Sequence, residues 1–309
     1  MRPDPFPFDS GLTCFRHYHL ACAWFHKCGS RSIPFVTAEH VMAAATSKDL
    51  TFVWCEHCAE RVSLWDAVDD AVFRGPGVLQ GLFGLREVSE SVAIPPANET
   101  KVMSVDLRSR AADVGEVVHA WALNGGPIEP GCEVSVIARS NAIGVWPNCK
   151  ATPPETVTLL VPPGEARSIS LQVSILPKAG LPVALRRAVE AVQLYRVGKL
   201  DVACVLLSAA VEATMDPEII SAEQYLGRLE RPKRRGLSDK LRDARKVLIP
   251  RLSKKLKYRL QELARVARNP TAHGSVPSLS EQEVRRWMVD VAVVYEWARR
   301  SYYNTALSR

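Results

Sequence analysis

The sequence lacks any apolar run long enough to cross a membrane. Its 309 residues are 47% hydrophobic and 24% charged, a balance typical of globular proteins. No stretch approaches the 18 or so consecutive apolar residues of a membrane-spanning helix. The first ten residues, MRPDPFPFDS, carry two acids and three prolines, where a secretory signal peptide has a continuous apolar core. We therefore expect a cytoplasmic protein with no membrane partner.

Internal repeats and low-complexity segments are also lacking, which excludes a repeat architecture. The chain is too long for one ordinary hydrophobic core, so several domains are expected. Its patterns predict a multidomain α+β fold with three parts. These are a zinc-ribbon-like domain over residues 1–87, an antiparallel β-sandwich over residues 88–178 and an α-helical bundle over residues 179–309.

Cysteine and histidine are concentrated at one end of the chain. Five of the eight cysteines and five of the seven histidines fall within the first 60 residues. In a reducing compartment such thiols bind metal or lie buried more often than they form disulfides. The segment CEHC, from Cys55 to Cys58, places two thiolates on one tight turn, as tetrahedral zinc requires. A short helix is expected directly after it, from Ser63 to Val72.

The second half of this metal site is open to alternatives. Cys22 and Cys28 are spaced more widely than the usual two-residue turn, although Gly29 follows as in a ribbon. His26 could replace Cys22, and Cys14 forms a separate pair with His17. A closed site with four protein ligands is structural, because catalytic zinc keeps one position open. We favour structural zinc in a ribbon, against a core of buried thiols, with the ligands Cys22, Cys28, Cys55 and Cys58.

The middle of the chain alternates with a period of two residues. In RSISLQVSIL the apolar residues Ile169, Leu171, Val173 and Ile175 face one way and the polar residues face the other, which is typical of a half-buried strand. Similar segments recur between Gly/Pro turns from residue 94 onward. They predict about five or six strands, hence the β-sandwich.

From Val183 the apolar period becomes helical. The segment KLDVACVLLSAAVEATM is apolar nearly all round, so we expect it to be the central buried helix of the bundle, with Cys204 in its core. The segment RLSKKLKYRLQELARVAR is amphipathic. A last helix is expected to begin at a capping box formed by Ser280 and Glu283.

The net positive charge of the chain is confined to this helical region. From residue 181 onward there are 25 Lys and Arg against 14 Asp and Glu, whereas the first 180 residues have 15 against 19. Residues 228–259 alone hold 14 basic residues and three acids. Such a run predicts a surface that contacts RNA phosphates, and the alternative is a solvated helical face. The expected RNA contacts are Arg251, Lys254, Lys255 and Lys257.

The segment RNPTAH places Arg268 and His273 on either side of Pro270. A residue before proline is disfavoured in the α region, so Asn269 should end the helix at Arg268. We then expect His273 on a loop that folds back beside the helix end.

This C-terminal region, about residues 181 to 305, resembles the HEPN domains, a superfamily with an Arg-x4-6-His motif. Arg268, Asn269 and His273 fit that motif. The resemblance implies a metal-independent endoribonuclease whose active site forms where two copies of the motif face each other in a homodimer. His273 suits the general acid/base because imidazole titrates near neutrality. Arg268 would stabilise phosphoryl charge, and Asn269 would orient the phosphate or the imidazole.

By analogy with the family, the enzyme would act as a toxin or in antiviral defence, with a protein antitoxin or activator as a further partner. An alternative from another class is a non-catalytic RNA-binding or scaffold protein with a structural zinc site. A zinc-ribbon regulator that binds DNA is less well supported, because the basic charge lies far along the chain from the cysteines.

Overall fold

The structure of this chain is a computed structural model. It describes residues 15–16, 35–36, 38–46, 52–54, 61–73, 82–83, 86–108, 114–124, 135–137, 156–177, 182–196, 198–226, 236–248, 251–272, 274 and 278–307. The chain forms two compact units. One combines residues 1–84 with residues 182–309 and is called here the helical unit; the other, residues 85–181, is the strand unit. The fold is therefore of mixed α and β content.

The N-terminal part of the helical unit contains two short antiparallel strand pairs and two helices. Strand β1 (Phe15–Arg16) pairs with β2 (Phe35–Val36) and precedes α1 (Ala38–Thr46). Strand β3 (Phe52–Trp54) pairs with β4 (Arg61–Ser63), which leads directly into α2 (Leu64–Phe73). This helix lies within one residue of its expected position.

The strand unit contains two three-stranded antiparallel sheets. The first has the order β5-β10-β7 and the second the order β6-β9-β8. The strands are β5 (Arg86–Ile94), β6 (Lys101–Asp106), β7 (Val114–Asn124), β8 (Ser135–Ile137), β9 (Thr156–Val161) and β10 (Arg167–Pro177). The four apolar residues of β10, from Ile169 to Ile175, are all buried, which confirms the predicted half-buried strand. They share one hydrophobic core with apolar residues of β9 in the second sheet.

The C-terminal part of the helical unit consists of helices that extend from Val183 to Leu307. They are α3 (Val183–Arg196), α4 (Leu200–Leu226), α5 (Leu237–Val247), α6 (Lys254–Glu262), a π-helical segment (Leu263–Arg268), α7 (Asn269–Ala272) and α8 (Glu281–Leu307). None of the helices among the described residues is both long and apolar enough to span a membrane.

Two helices lie at the centre of this unit, α4 as the sequence predicted and also α8. Every residue of α8 from 287 to 298 is buried, including Asp290 and Glu296. In α4, by contrast, Ala203 and Leu207 are buried but Val202 is 40% exposed. Helix α4 packs against α3, α5, the π-helical segment, α7 and α8, and α8 packs against α1, α2, α3, α4 and α6. The apolar composition of α4 predicted its place, whereas the packing of α1 and α2 on α8 was not predicted.

Candidate nucleic-acid interface and motif region

Helix α6, the π-helical segment and α7 form one continuous helical path from Lys254 to Ala272. The prediction that the helix ends at Arg268 is therefore wrong. Asn269 has φ −65° and ψ −48°, which are α-helical values, although Pro270 follows it. A proline inside an α-helix clashes with the carbonyl four residues earlier. The wider π turns just before Pro270 displace that carbonyl and so let the helical path continue.

The chain turns after Ala272 instead. Gly274 has φ +79°, a left-handed conformation that glycine adopts without steric cost and that commonly follows a helix end. Helix α8 then begins at the predicted capping box, which is confirmed. The Ser280 hydroxyl donates to Glu283 Oε2 at 2.7 Å, and the Glu283 N–H donates to Ser280 Oγ at 3.2 Å. The hydrogen bonds from Ser280 lower the pKa of Glu283.

The three predicted catalytic residues are only partly described. The backbone of Arg268 ends the π-helical segment, and Asn269 is exposed at the first position of α7. The side chain of Arg268 and the whole of His273 lie outside the described residues. The structure therefore places only the backbone of Arg268, at the end of the π-helical segment, and gives no distance between Arg268 and His273.

One face of the α6 path is exposed along its whole length. Lys254, Tyr258, Arg265 and Asn269 are exposed, and their spacing of four, seven and four residues puts them on the same side of a helix. These four residues are called here the motif stripe. The opposite side carries the buried apolar residues Leu256, Leu260, Leu263 and Ala264. The stripe therefore leads from the basic region to the residue that follows Arg268.

The four predicted RNA contacts differ in their surroundings. Arg251 and Lys254 are exposed, and Lys257 is half-buried with its Nζ 5.6 Å from the centroid of the Tyr258 ring. Lys255 lies on another side of α6, where burial and the charges of neighbouring arginines lower its pKa. Lys254 thus lies on the motif stripe with Lys257 beside it, Arg251 precedes α6, and Lys255 belongs to a separate charged cluster.

That cluster is centred on a buried ion pair between α6 and α8. Arg259 Nε donates to Asp290 Oδ2 at 2.8 Å, and its Nη2 donates to Asp290 Oδ1 and to the carbonyl oxygen of Ala45 at 2.9 Å. Asp290 is fully buried. Burial raises the pKa of Asp290 to about 6, against the opposing effects of Arg259, Arg286 and Lys255. One guanidinium thus joins α1, α6 and α8.

A second arginine joins α2 to α3 and α8. Arg285 Nε donates to the Tyr195 hydroxyl at 2.6 Å, its Nη1 donates to Asp69 Oδ2 at 3.2 Å, and its Nη2 donates to Glu281 Oε2 at 3.1 Å. The same guanidinium lies 5.6 Å from the centroid of the Phe73 ring. Sequence reasoning missed this network, because it assigned the N-terminal and C-terminal segments to different domains.

The predicted zinc ligands Cys22, Cys28, Cys55 and Cys58 lie outside the described residues, as do His26, Cys14 and His17. Within the described ranges no group of three or more His, Cys, Asp or Glu side chains could hold a metal ion. Cys204 is a buried free thiol, and burial together with the charges of Asp201 and Glu283 raises its pKa to about 12. This thiol is a core residue, as its apolar surroundings predicted.

Comparison of the chain with protein-family models, with curated proteins and with solved structures finds no match.

Proposed function

We propose that this protein is a metal-independent endoribonuclease of the HEPN type, which cleaves RNA at a site formed by two copies of the helical unit. The observation that carries the proposal is the motif stripe. An exposed face with Lys254 and Arg265 runs along the α6 path to Asn269, next to Arg268, and His273 is four residues further along the sequence. Cationic side chains along such a face attract the RNA backbone in a salt-dependent manner.

The residue types fit transesterification by the RNA itself. His273 takes the proton from the 2′-hydroxyl, and the 2′-oxygen then bonds to phosphorus as the bond to the 5′-oxygen breaks. The leaving oxygen takes a proton from the second imidazole, which is His273 of the partner subunit. Arg268 stabilises the charge that builds on the phosphoryl oxygens, and exposed Asn269 orients the phosphate. The products are a 2′,3′-cyclic phosphate and a 5′-hydroxyl.

Two copies of the motif are required because the 2′-oxygen attacks phosphorus on one side and the 5′-oxygen leaves from the opposite side. A single imidazole placed to remove the 2′ proton is too far from the leaving oxygen to protonate it in the same step. A homodimer with both motifs at one cleft supplies a base and an acid together, and no metal ion is needed.

The rest of the molecule would recognise or restrain this activity. The shared core of the two sheets in the strand unit supports a β-sandwich there. The cysteine spacing supports a zinc ribbon in the N-terminal segment, with structural zinc on Cys22, Cys28, Cys55 and Cys58. We place the enzyme in the cytoplasm, in a toxin or antiviral defence system controlled by a protein antitoxin or activator.

A second candidate function is RNA binding without cleavage, as an adaptor or scaffold. The observation that favours it is the exposure of the motif stripe itself, because its cations can hold phosphates whatever Arg268 and His273 do. The two functions differ in whether RNA is cut.

The test is to incubate the purified full chain with a labelled RNA in the presence of EDTA. We expect cleavage with cyclic phosphate ends, and no cleavage when the nucleotide on the 5′ side of the cut bond is replaced by its 2′-deoxy form. His273→Ala should abolish cleavage, whereas His119→Ala, a histidine of the strand unit, should not change it. If His273→Ala cuts as fast as the unaltered protein, the catalytic assignment is wrong; if the unaltered protein binds RNA without cutting it, the second candidate is correct.

A further inference from the structure

Tyr258 is an exposed aromatic side chain on a charged helix. Its residue is 63% exposed, the highest value among the large exposed aromatic residues in the described part of the chain. Its ring contacts solvent on the side opposite to buried Leu256 and Leu260, so it contributes little to the hydrophobic core. A large aromatic surface is costly to leave in water, and such residues are common where a protein stacks against a planar ligand.

The charged neighbours of Tyr258 along this face are mostly cations, with one acid, Glu262, one turn after it. Lys254 lies one helical turn before it on the motif stripe, and the Nζ of Lys257 lies 5.6 Å from its ring centroid. Arg265 follows on the same face. A helical turn rises about 5.4 Å, so an RNA strand along this face would meet one aromatic ring with a cation on either side of it. That combination is the one by which proteins hold single-stranded nucleic acids, with phosphates on cations and bases on rings.

The distance from Tyr258 to the motif is short. Asn269 is eleven positions further along the helical path, which corresponds to at most about 16 Å along the helix axis. Only a few stretched nucleotides cover that length. A base on the Tyr258 ring would therefore sit at a fixed small offset from the phosphate at Arg268.

A duplex cannot make this contact. The faces of its bases are covered by their neighbours in the stack, and the major groove of A-form RNA is too deep and narrow for side chains to enter. Only an unpaired base can turn its face to the ring, and every base has such a face, so the contact tolerates different sequences.

We propose that RNA reaches the motif as a single strand, with one unpaired base stacked on Tyr258 and its phosphates on Lys254, Lys257 and Arg265. The offset from the cut bond rests on the proposed ribonuclease function, whereas the stacking contact does not. Tyr258 is thus a specificity-determining residue that selects unpaired RNA.

Binding is measured first, with His273→Ala as the background so that the RNA stays intact. A fluorescent single-stranded RNA, the same RNA annealed to its complement, and Tyr258→Ala, Tyr258→Phe and Tyr258→Trp variants are compared by anisotropy. We expect Tyr258→Ala to weaken single-strand binding about 5- to 100-fold, while Phe and Trp retain it. Phe52→Ala is the matched control, because Phe52 is also exposed and also has a cation, Arg61, 5.7 Å from its ring centroid; it should bind as the background does.

Cleavage is measured second, with an otherwise unaltered protein and RNAs that carry one abasic nucleotide at successive positions. We expect the unaltered protein to lose cleavage when the abasic nucleotide stands at one fixed distance from the cut bond. In Tyr258→Ala, cleavage should not depend on the position of the abasic nucleotide. It is overturned if Tyr258→Ala binds single strands as tightly as the background, or if duplex RNA binds as tightly as single strands.

The two proposals fail in different ways. Cleavage that depends on His273 but not on Tyr258 keeps the ribonuclease and overturns the stacking contact. Binding of single strands that depends on Tyr258, without any cleavage, keeps the stacking contact and overturns the ribonuclease. A protein that binds neither form of RNA overturns both.

Discussion

The guanidinium of Arg259 pairs with the fully buried carboxylate of Asp290, with Nε 2.8 Å from Oδ2, and the same group donates to the backbone carbonyl of Ala45. This one side chain therefore connects α6, which leads to the motif, with α8 and with α1 in the N-terminal segment. Removing one member of a buried pair leaves an uncompensated charge, which is much more costly than losing an exposed pair.

We expect Arg259→Ala to lower the free energy of unfolding by about 3–5 kcal/mol. The matched control is Arg187→Ala, which removes the exposed pair with Glu190 and should cost less than about 1 kcal/mol. Urea unfolding followed by the fluorescence of buried Trp287 and Trp297 measures both. Equal losses in the two variants would show that the buried pair adds nothing beyond an exposed one.

The titration of Asp290 gives a dependence on pH with a definite sign. Burial raises its pKa from 3.8 to about 6 in the folded protein, so the folded state holds the proton more tightly than the unfolded state. Its contribution to stability is then fully present below about pH 4 and is lost as the pH rises through about 6. Asp290→Asn cannot titrate. The difference in unfolding free energy, unaltered protein minus variant, should therefore fall between pH 4 and 7 by roughly 1.4 kcal/mol for each unit of pKa difference.

The measurement is a set of urea unfolding curves at fixed pH for the two proteins. A difference that grows with pH would mean that Arg259 holds the pKa of Asp290 below its ordinary value, contrary to the effect of burial. A constant difference would mean that Asp290 has the same pKa in the folded and unfolded states.

Local patterns in the sequence predicted local structure well. The alternation around Leu171 and the capping box at Ser280 depend on residues a few positions apart, and both were found. The helix path through Pro270 was missed because the preference before proline is a weak local bias, which the π turns and the surrounding packing override. The hydrogen bond from Arg259 to the carbonyl of Ala45 could not be predicted for a different reason. Every residue has a backbone carbonyl, so the residue type does not indicate which carbonyl accepts the bond.

For the candidate site, the sequence indicated the region of the chain but not which of its side chains are exposed. Positive charge and the Arg-x4-6-His spacing marked the α6 path and its end. They could not separate Lys254 on the exposed stripe from Lys255, which lies one residue further on among Arg259, Arg286 and Asp290. That separation depends on the helical phase and on what packs against each side of α6, and both are set by the tertiary fold.

Arg285 should hold α2 in place, because its guanidinium bonds Asp69 of α2 while Tyr195 and Glu281 fix its orientation. Arg285→Lys keeps the charge but replaces a planar fork with a single ammonium, which cannot reach Asp69, Tyr195 and Glu281 together. We expect faster amide hydrogen exchange in Leu64–Phe73 and unchanged exchange in the strand unit. Arg242→Lys, in an exposed pair with Asp239, should leave α2 unchanged. Unaltered protection of α2 in Arg285→Lys would show that apolar packing alone holds this helix.

Zinc binding should depend on the CEHC segment. Cys55→Ser and Cys58→Ser are expected to lower the metal content from about one zinc per chain, since a closed site needs all four ligands. Cys204→Ala, which changes a buried thiol, should keep its zinc. Elemental analysis of the purified proteins measures this directly. Well under one zinc per chain in the unaltered protein would instead favour a core of buried thiols.

Glu262 is an exposed acid beside the motif stripe, one turn after Tyr258. A phosphate about 8 Å away would be repelled by about 0.5 kcal/mol in a dielectric close to that of water. Glu262→Gln should therefore tighten single-stranded RNA binding about twofold at low salt. The gain should shrink as salt is added, because screening removes long-range repulsion between exposed charges. Glu99→Gln, which changes an exposed acid of the strand unit, is the control and should not alter the affinity. Anisotropy titrations over a range of salt concentrations measure these affinities. If Glu262→Gln binds RNA only as tightly as the Glu99→Gln control, RNA does not pass along this face of α6.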